Sequence, residues 1–199
     1  MIAFVRGEVA AVTLTSAVLE VGGVGLELMC TPGTLATLRV GRPATLPTSM
    51  VVREDSLTIF GFLDDDEKQV FEIAQTASGV GPKVAQAIVA VMSPDDVRRA
   101  IMTEDVKALT RVPGIGQKGA QRIILELKDR IGPPTGGHHA APHDTPQEAW
   151  RDQVQQGLVG LGWSAKESEK AVEAVAADAG ELPDVGALMR AALRKLSKA

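Results

Sequence analysis

The sequence predicts an α+β protein of several domains: a five-stranded β-barrel first, an all-α domain with two helix-hairpin-helix units next, and a small three-helix bundle last. Three observations support this prediction. Roughly the first third of the 199 residues alternates between apolar and polar side chains, as half-buried strands do. From residue 64 the apolar residues recur with a helical period. A Gly-x-Gly turn then occurs twice within that helical region.

Residues 1–63 contain the predicted strands. Apolar and polar side chains alternate over residues 24–30 and 57–62. Residues typical of turns, such as Pro32-Gly33, separate these predicted strands. Several short strands in a segment of this length fit a five-stranded barrel of the oligonucleotide-binding type. The apolar insert at 34–38 would form a helical plug between strands.

A charged turn, Glu54-Asp55, joins two of these strands. An acidic pair at a hairpin tip usually keeps a surface soluble. It does not form a convincing catalytic pair, because no third acid, histidine or metal-ligand spacing accompanies it. Its other possible role is electrostatic repulsion.

Residues 64–131 are predicted to contain about five helices. Asp64 and the three acidic residues after it suit a helix start, since carboxylates complement the helix dipole. Ser93-Pro94 marks another start, and Thr103 is expected to open a short helix that leads to Leu109.

Two glycine hairpins of one type connect these helices, Gly79-Val80-Gly81 and Gly114-Ile115-Gly116. Glycine permits a tight turn and a close backbone approach, and the helix that follows begins with unpaired N–H groups that suit an anion. Lys83 and Lys118 occupy equivalent positions, and Arg122 lies one helical turn after Lys118. One such turn alone would indicate only a connection between packed helices. Its repetition, with the lysine in register, favours paired phosphate-binding sites.

A nucleotide-binding alternative arises because Gly114, Gly116 and Gly119 spell Gly-x-Gly-x-x-Gly. That dinucleotide fingerprint requires a preceding strand and a following acidic residue, whereas residues 105–109 indicate a helix. No Gly-x-x-x-x-Gly-Lys-Ser/Thr loop for ATP occurs either.

The overall charge of −4 argues, taken alone, against binding to nucleic acid. The charges are segregated, however, since residues 106–131 carry six basic and two acidic side chains. One face can therefore bind DNA with modest, salt-sensitive affinity. Aromatic residues are only 3% of the chain, which disfavours single-strand binding by base stacking.

The remaining features indicate a soluble cytoplasmic protein without a metal site. There is no long apolar run and no leader-like amino terminus, and Cys30 is expected to be a small buried residue. Residues 132–144 are predicted to form a flexible linker, whose three histidines we attribute to linker composition. Residues 145–199 are expected to form three short helices that act as a docking module.

This arrangement resembles the RuvA family, the Holliday-junction-binding subunits of bacterial branch-migration complexes. The resemblance covers nearly the whole chain outside the linker, although 158–163 resembles the family's third domain less sharply. Its most specific parts are Val51-Val52-Arg53-Glu54-Asp55, Gly79-Val80-Gly81-Pro82-Lys83, and Pro113-Gly114-Ile115-Gly116 followed by Lys118 and Arg122.

The resemblance implies a non-catalytic, DNA-binding subunit that holds a four-way junction open without reading its sequence. Such proteins form tetramers, sometimes octamers, and recruit a hexameric RuvB-type ATPase, alongside a RuvC-type resolvase. They act in recombination, repair and the SOS response to DNA damage. No cofactor would be bound by this chain, because ATP is used by the motor.

The same resemblance assigns roles to individual residues. Glu54 and Asp55 would form an acidic pin at the crossover. Position 117 is Gln where relatives often carry a basic residue, and position 119 is Gly where many carry Thr, so we expect weaker phosphate binding. The DNA-binding residues would be Gly79, Gly81, Lys83, Gly114, Gly116, Gln117, Lys118 and Arg122. The motor-binding residues would be Leu158, Leu161, Trp163 and Leu188, most of which we also expect in the core of the bundle.

Two other functions fit parts of the pattern. A helix-hairpin-helix DNA glycosylase could use Lys118 as its catalytic lysine, but the required aspartate about 18 residues later is replaced by Gly136. A generic DNA-binding module would prefer single strands, or would show no preference for a junction.

Overall fold

The computed structural model describes residues 2–134, 146–176 and 184–196. It divides the chain into two compact units, residues 1–137 and 138–199. The first unit holds the strands and the first six helices, and the second holds three further helices of the described segments.

Five strands form a closed barrel. They are β1 (Phe4–Val12), β2 (Ser16–Val21), β3 (Val24–Cys30), β4 (Pro43–Val52) and β5 (Leu57–Gly61). Their order is β1-β2-β3-β5-β4, and β1 closes the sheet by pairing with both β2 and β4. The β3–β5 pair is parallel, whereas the others are antiparallel. The predicted five-stranded barrel is confirmed, and helix α1 (Pro32–Thr37) lies between β3 and β4, where the plug was expected.

Alternate residues of the strands fill the barrel interior. Val5 and Val9 of β1 are buried with Leu19, Leu28 and Leu46 from the neighbouring strands. Cys30 belongs to the same cluster, and its burial raises the pKa of the thiol to about 11. The thiol therefore stays protonated and packs as an apolar side chain, as its place in an alternating run indicated.

Five helices follow in the first unit, as predicted. They are α2 (Asp65–Ala74), α3 (Pro82–Val91), α4 (Pro94–Met102), α5 (Val106–Leu109) and α6 (Gln117–Leu127). Asp64 caps α2 by accepting a hydrogen bond from the Glu67 N–H at 2.8 Å. The prediction that Thr103 opens α5 is wrong: Thr103 ends α4, and Asp105 caps α5. The left-handed φ of 57° at Glu104 turns the chain between them, which residue type alone did not indicate.

Three phenylalanines join the barrel to the helices within the first unit. Phe71 of α2 lies 5.0 Å from Phe60 and 4.8 Å from Phe62, measured between ring centroids. All three belong to the core cluster that also contains the apolar faces of α3 to α6. Nearby, the buried Arg98 of α4 donates a 2.9 Å hydrogen bond to Asp66 of α2, which raises the pKa of the guanidinium further. Both hairpins therefore connect helices that share one apolar core with the end of the barrel.

The second unit is a three-helix bundle in the part of the chain that is described. Its helices are α7 (Pro146–Gly160), α8 (Ala165–Val175) and α9 (Val185–Leu196). Ser164 and Glu167 form a reciprocal capping box at the start of α8. Trp150, Val154 and Leu158 of α7 pack against α8 and α9. The predicted linker lies outside the described residues from position 135 onward, together with its histidines.

Candidate nucleic-acid interface

The first glycine hairpin lies between α2 and α3. Gly79 has a φ of 85°, a left-handed conformation that strains any residue with a Cβ. The N–H of Val80 closes the turn with a 3.1 Å hydrogen bond to the carbonyl oxygen of Ala77. Gly81 then caps α3 in extended conformation, and Pro82 occupies the first helical position.

The second hairpin, between α5 and α6, repeats this geometry. Gly114 has a φ of 88°, and the N–H of Ile115 donates to the carbonyl oxygen of Val112 at 3.1 Å. Gly116 caps α6 with φ −88° and ψ 175°, close to the −86° and 173° of Gly81. The repeat that is visible in the sequence is therefore a repeat of backbone conformation.

Both hairpins present uncapped helix starts. Neither Gly81 nor Gly116 has a side chain to bond the first-turn amides of α3 or α6. A Cβ placed on either glycine would meet nothing within 4 Å. The space around the two capping glycines is therefore open, and the helix dipole favours an anion at these helix starts. This arrangement suits two backbone phosphates.

The basic residues near the hairpins are exposed. Lys83 follows the first hairpin and Lys118 follows the second, where the uncharged Gln117 is exposed as well. Lys128, in contrast, forms an ion pair at 2.6 Å with Glu104, which lowers the pKa of the Glu104 carboxyl and raises that of the lysine. Part of the positive charge counted in the sequence is thus neutralised within the fold.

Arg122 occupies a place that sequence spacing did not indicate. Its Nη1 lies 3.9 Å from the position that a Cβ on Gly79 would take, so the side chain reaches the first hairpin from the helix after the second. Reciprocally, Val84 of α3 lies 3.5 Å from the corresponding Cβ position on Gly114. Each hairpin therefore contacts the helix that follows the other, and the two form one surface.

A further contact binds the first hairpin to α6. The N–H of Ser78 donates a 2.7 Å hydrogen bond to Oε2 of Glu126. Glu126 belongs to none of the motifs visible in the sequence. The only signal available was its helical spacing from Arg122, one turn earlier on the same face.

The predicted acidic turn is a β-hairpin tip between β4 and β5. Val52 pairs with Leu57, and the N–H of Arg53 donates to the carbonyl oxygen of Ser56 at 2.8 Å. Glu54 and Asp55 lie exposed at the tip. Among the described residues, no group of histidine, cysteine and acidic side chains could hold a metal ion.

The four candidate motor-binding residues differ in exposure. Leu158 and Leu188 are buried in the core of the bundle, with 0% and 4% of their surface exposed. Trp163 is half-buried and packs against that core, whereas Leu161 is 61% exposed. Of these four residues, only Leu161 and part of Trp163 expose apolar surface.

The structure also bears on the nucleotide-binding alternative. The segment before Gly114 is helix α5 rather than a strand, so the dinucleotide fingerprint lacks its required context. Gly136, where a glycosylase of this motif would need its aspartate, lies outside the described residues. Within the described ranges no helix is long and apolar enough to cross a bilayer.

Comparisons with known proteins agree with this architecture. Residues 1–61 match a family model described as the RuvA N terminal domain, and residues 149–197 match one described as the RuvA C-terminal domain. Residues 71–129 match a SAM-like helix-hairpin-helix tandem.

Curated relatives match over the full chain. A protein of a Nocardioides species is 74% identical over 200 residues, covering 100% of both chains. Proteins of Thermobifida fusca and Streptomyces coelicolor are each 59% identical, again over 100% of both chains. All three are named Holliday junction branch migration complex subunit RuvA.

Proposed function

The chain belongs to the RuvA family, and from that premise we propose that it binds four-way DNA junctions and holds them open for branch migration in recombination and repair. It acts without a catalytic site or cofactor of its own. ATP is used by a hexameric motor of the RuvB type, which this chain recruits.

The observation that carries this proposal is the pair of equivalent hairpins. Each begins a helix without a side-chain cap, at Gly81 and at Gly116, and the space around both glycines is open. Amides and lysines bind phosphate oxygens, and phosphate contacts carry no base information. A protein with such contacts binds DNA of any sequence, and a complex that moves along DNA requires this property.

The cations strengthen the same contacts. Lys83 and Lys118 lie in the first turn of the helix after each hairpin, and Arg122 lies beside Gly79. Replacing Lys118 or Arg122 by alanine should weaken binding to all sequences alike. Each change should also reduce the slope of log affinity against log salt concentration by about one unit. An effect that depends on base sequence would contradict phosphate binding.

Glu54 and Asp55 provide discrimination against ordinary duplex. If four copies assemble around a fourfold axis, their hairpin tips cluster at the crossover. Like charges 4 Å apart repel by about 1 kcal/mol in water and by about 4 kcal/mol at an effective dielectric constant of 20. Phosphates of a continuous duplex that crossed this centre would be repelled, whereas an open junction leaves the centre free of phosphate.

The deciding experiment is a titration of the protein against an immobile four-way junction, a duplex with the same arm sequences and a single strand, at one moderate salt concentration. We expect the junction to bind most tightly. The double variant Glu54→Gln/Asp55→Asn should keep its junction affinity and gain affinity for duplex. Equal binding of junction and duplex by the wild type, or preference for the single strand, would refute the proposed function.

Assembly and docking complete the proposal. A homotetramer, or an octamer of two such tetramers, presents its hairpins to four arms, and a junction resolvase of the RuvC type acts on the same complex. The bundle contacts the motor through Leu161 and Trp163, while Leu158 and Leu188 maintain its core. Leu161→Ser should lower stimulation of the motor's ATPase, and Val159→Ser, also exposed, serves as the control.

A further inference from the structure

The hydrogen bond between Ser78 and Glu126 is not a general feature of the hairpin motif. The repeat equates Ser78 with Pro113 and Glu126 with Val91, by the same offset that equates Gly79 with Gly114. Proline has no backbone N–H to donate, and the side chain of valine has no oxygen to accept a hydrogen bond. Pro113 and Val91 therefore cannot make the hydrogen bond that Ser78 and Glu126 make. The bond joins the first hairpin to α6, and these equivalent residues cannot join the second hairpin to α3 in the same way.

This link connects distant parts of the chain at the DNA-facing surface. Ser78 and Glu126 are 48 residues apart, and their N···O distance of 2.7 Å is typical of a bond to a charged acceptor. Ser78 directly precedes the left-handed Gly79. Holding its N–H to α6 therefore restrains the hairpin at the point where the chain turns.

Glu126 acts next to a cation from the same helix. Arg122 lies one turn earlier, and its Nη1 lies beside Gly79. Helix α6 thus contributes a guanidinium and a carboxylate to the first hairpin, while its own start forms the second phosphate site. A carboxylate at this place opposes DNA electrostatically, so the free energy that it contributes must come from its hydrogen bond rather than from its charge.

We propose that Glu126 is a positioning residue that fixes the first hairpin against α6, so that the two uncapped helix starts meet successive backbone phosphates at a set spacing. The proposal rests on the proposed function for its consequence in DNA binding. Its structural part, the restraint on residues 78–81, concerns the protein without DNA.

Two substitutions separate the hydrogen bond from the charge. Glu126→Gln keeps an acceptor oxygen and removes the charge, whereas Glu126→Ala removes both. We expect Gln to bind the four-way junction as tightly as the wild type, or up to about threefold more tightly, because repulsion of phosphate is relieved. We expect Ala to lower junction affinity by about three- to tenfold, the scale of one ordinary hydrogen bond, because the loss of the bond is partly offset by relieved repulsion of phosphate. Val91→Ala, at the equivalent exposed position, should change nothing.

Hydrogen exchange of the DNA-free protein, read by mass spectrometry on a peptide covering residues 75–81, tests the restraint directly. Exchange there should accelerate in Glu126→Ala and stay near the wild-type rate in Glu126→Gln, while peptides from the barrel stay unchanged in both. If Glu126→Ala tightened junction binding as much as Glu126→Gln, the Glu126 carboxylate would act only by repelling DNA phosphates, and the proposal would be wrong. Unchanged exchange in Ala would equally overturn it.

The two readouts also separate this inference from the function on which it rests. Loss of the proposed function would appear as a wild-type protein that does not prefer junctions, whatever the exchange rates are. Failure of the inference would appear as normal junction preference in the wild type with no difference between Ala and Gln. Should Ala lower overall stability, seen as faster exchange throughout the first unit, the Gln variant and its exchange still decide the role of the hydrogen bond.

Discussion

Replacing the two glycines of one hairpin by alanine should affect stability and DNA binding in opposite order. In the second hairpin, Gly114 has a φ of 88° and Gly116 a φ of −88°. A Cβ on Gly114 would lie 3.5 Å from Val84, an ordinary van der Waals contact, so its cost is backbone strain alone. That strain is about 1–2 kcal/mol for a left-handed residue with a side chain. Gly116→Ala is unstrained, and replacing this cap costs at most about 1 kcal/mol.

For DNA binding the order of the two variants is reversed, and Gly116→Ala should cause the larger loss. The methyl group of Gly116→Ala would occupy open space at the start of α6, the end of the helix where we expect a phosphate to approach. We expect junction affinity to fall at least tenfold, equivalent to about 1.4 kcal/mol. Gly114→Ala leaves that space open and should reduce affinity less. The first hairpin offers a repeat of the experiment, because Gly79 has a φ of 85° and Gly81 is likewise open.

Stability is measured by urea denaturation followed by far-UV circular dichroism, and binding by fluorescence anisotropy with a labelled four-way junction. Both tryptophans of the chain, Trp150 and Trp163, belong to the second unit, so their fluorescence reports on that bundle and should not change. If Gly116→Ala bound the junction like the wild type, backbone amides would not be the phosphate ligands. If both variants lost affinity only in proportion to lost stability, the hairpins would be simple connections.

Four further predictions concern the fold itself. Phe71→Ala should lower the free energy of unfolding by about 3–5 kcal/mol in urea denaturation, because two ring contacts are lost and a cavity remains; a loss below 1 kcal/mol would contradict its role in joining the barrel to the helices. Asp66→Asn should cost about 1–3 kcal/mol by the same method, since the buried Arg98 loses its charged acceptor, and an unchanged midpoint would show that Asp95 alone suffices. Cys30 should resist a thiol reagent at pH 8 until urea unfolds the protein, because burial raises its pKa to about 11; rapid native labelling would refute this. Ser168→Ala should leave the bundle as stable or up to about 1 kcal/mol more stable by tryptophan fluorescence, because the buried Ser168 hydroxyl has no partner among the described residues, and a clear loss would reveal one.

Local patterns accounted for much of this structure. The hairpins could be predicted because each is built from contacts three or four residues apart, such as the bond from Val80 to Ala77, and from a conformation that only glycine adopts without strain. The strands could be predicted because burial of one face imposes alternation. The start of α5 was misplaced, since the left-handed turn at Glu104 carries no signal in its residue type.

The sequence by itself determined the order of elements, the duplicated hairpins and the family. Only the tertiary structure decided which distant residues meet: that β1 closes the barrel on β4, and that Arg122 and Glu126 reach the first hairpin. The physical reason is the distance along the chain between the residues in contact. A turn or helix start is stabilised by neighbours in the chain, whereas these contacts depend on how whole elements pack, which no local pattern specifies.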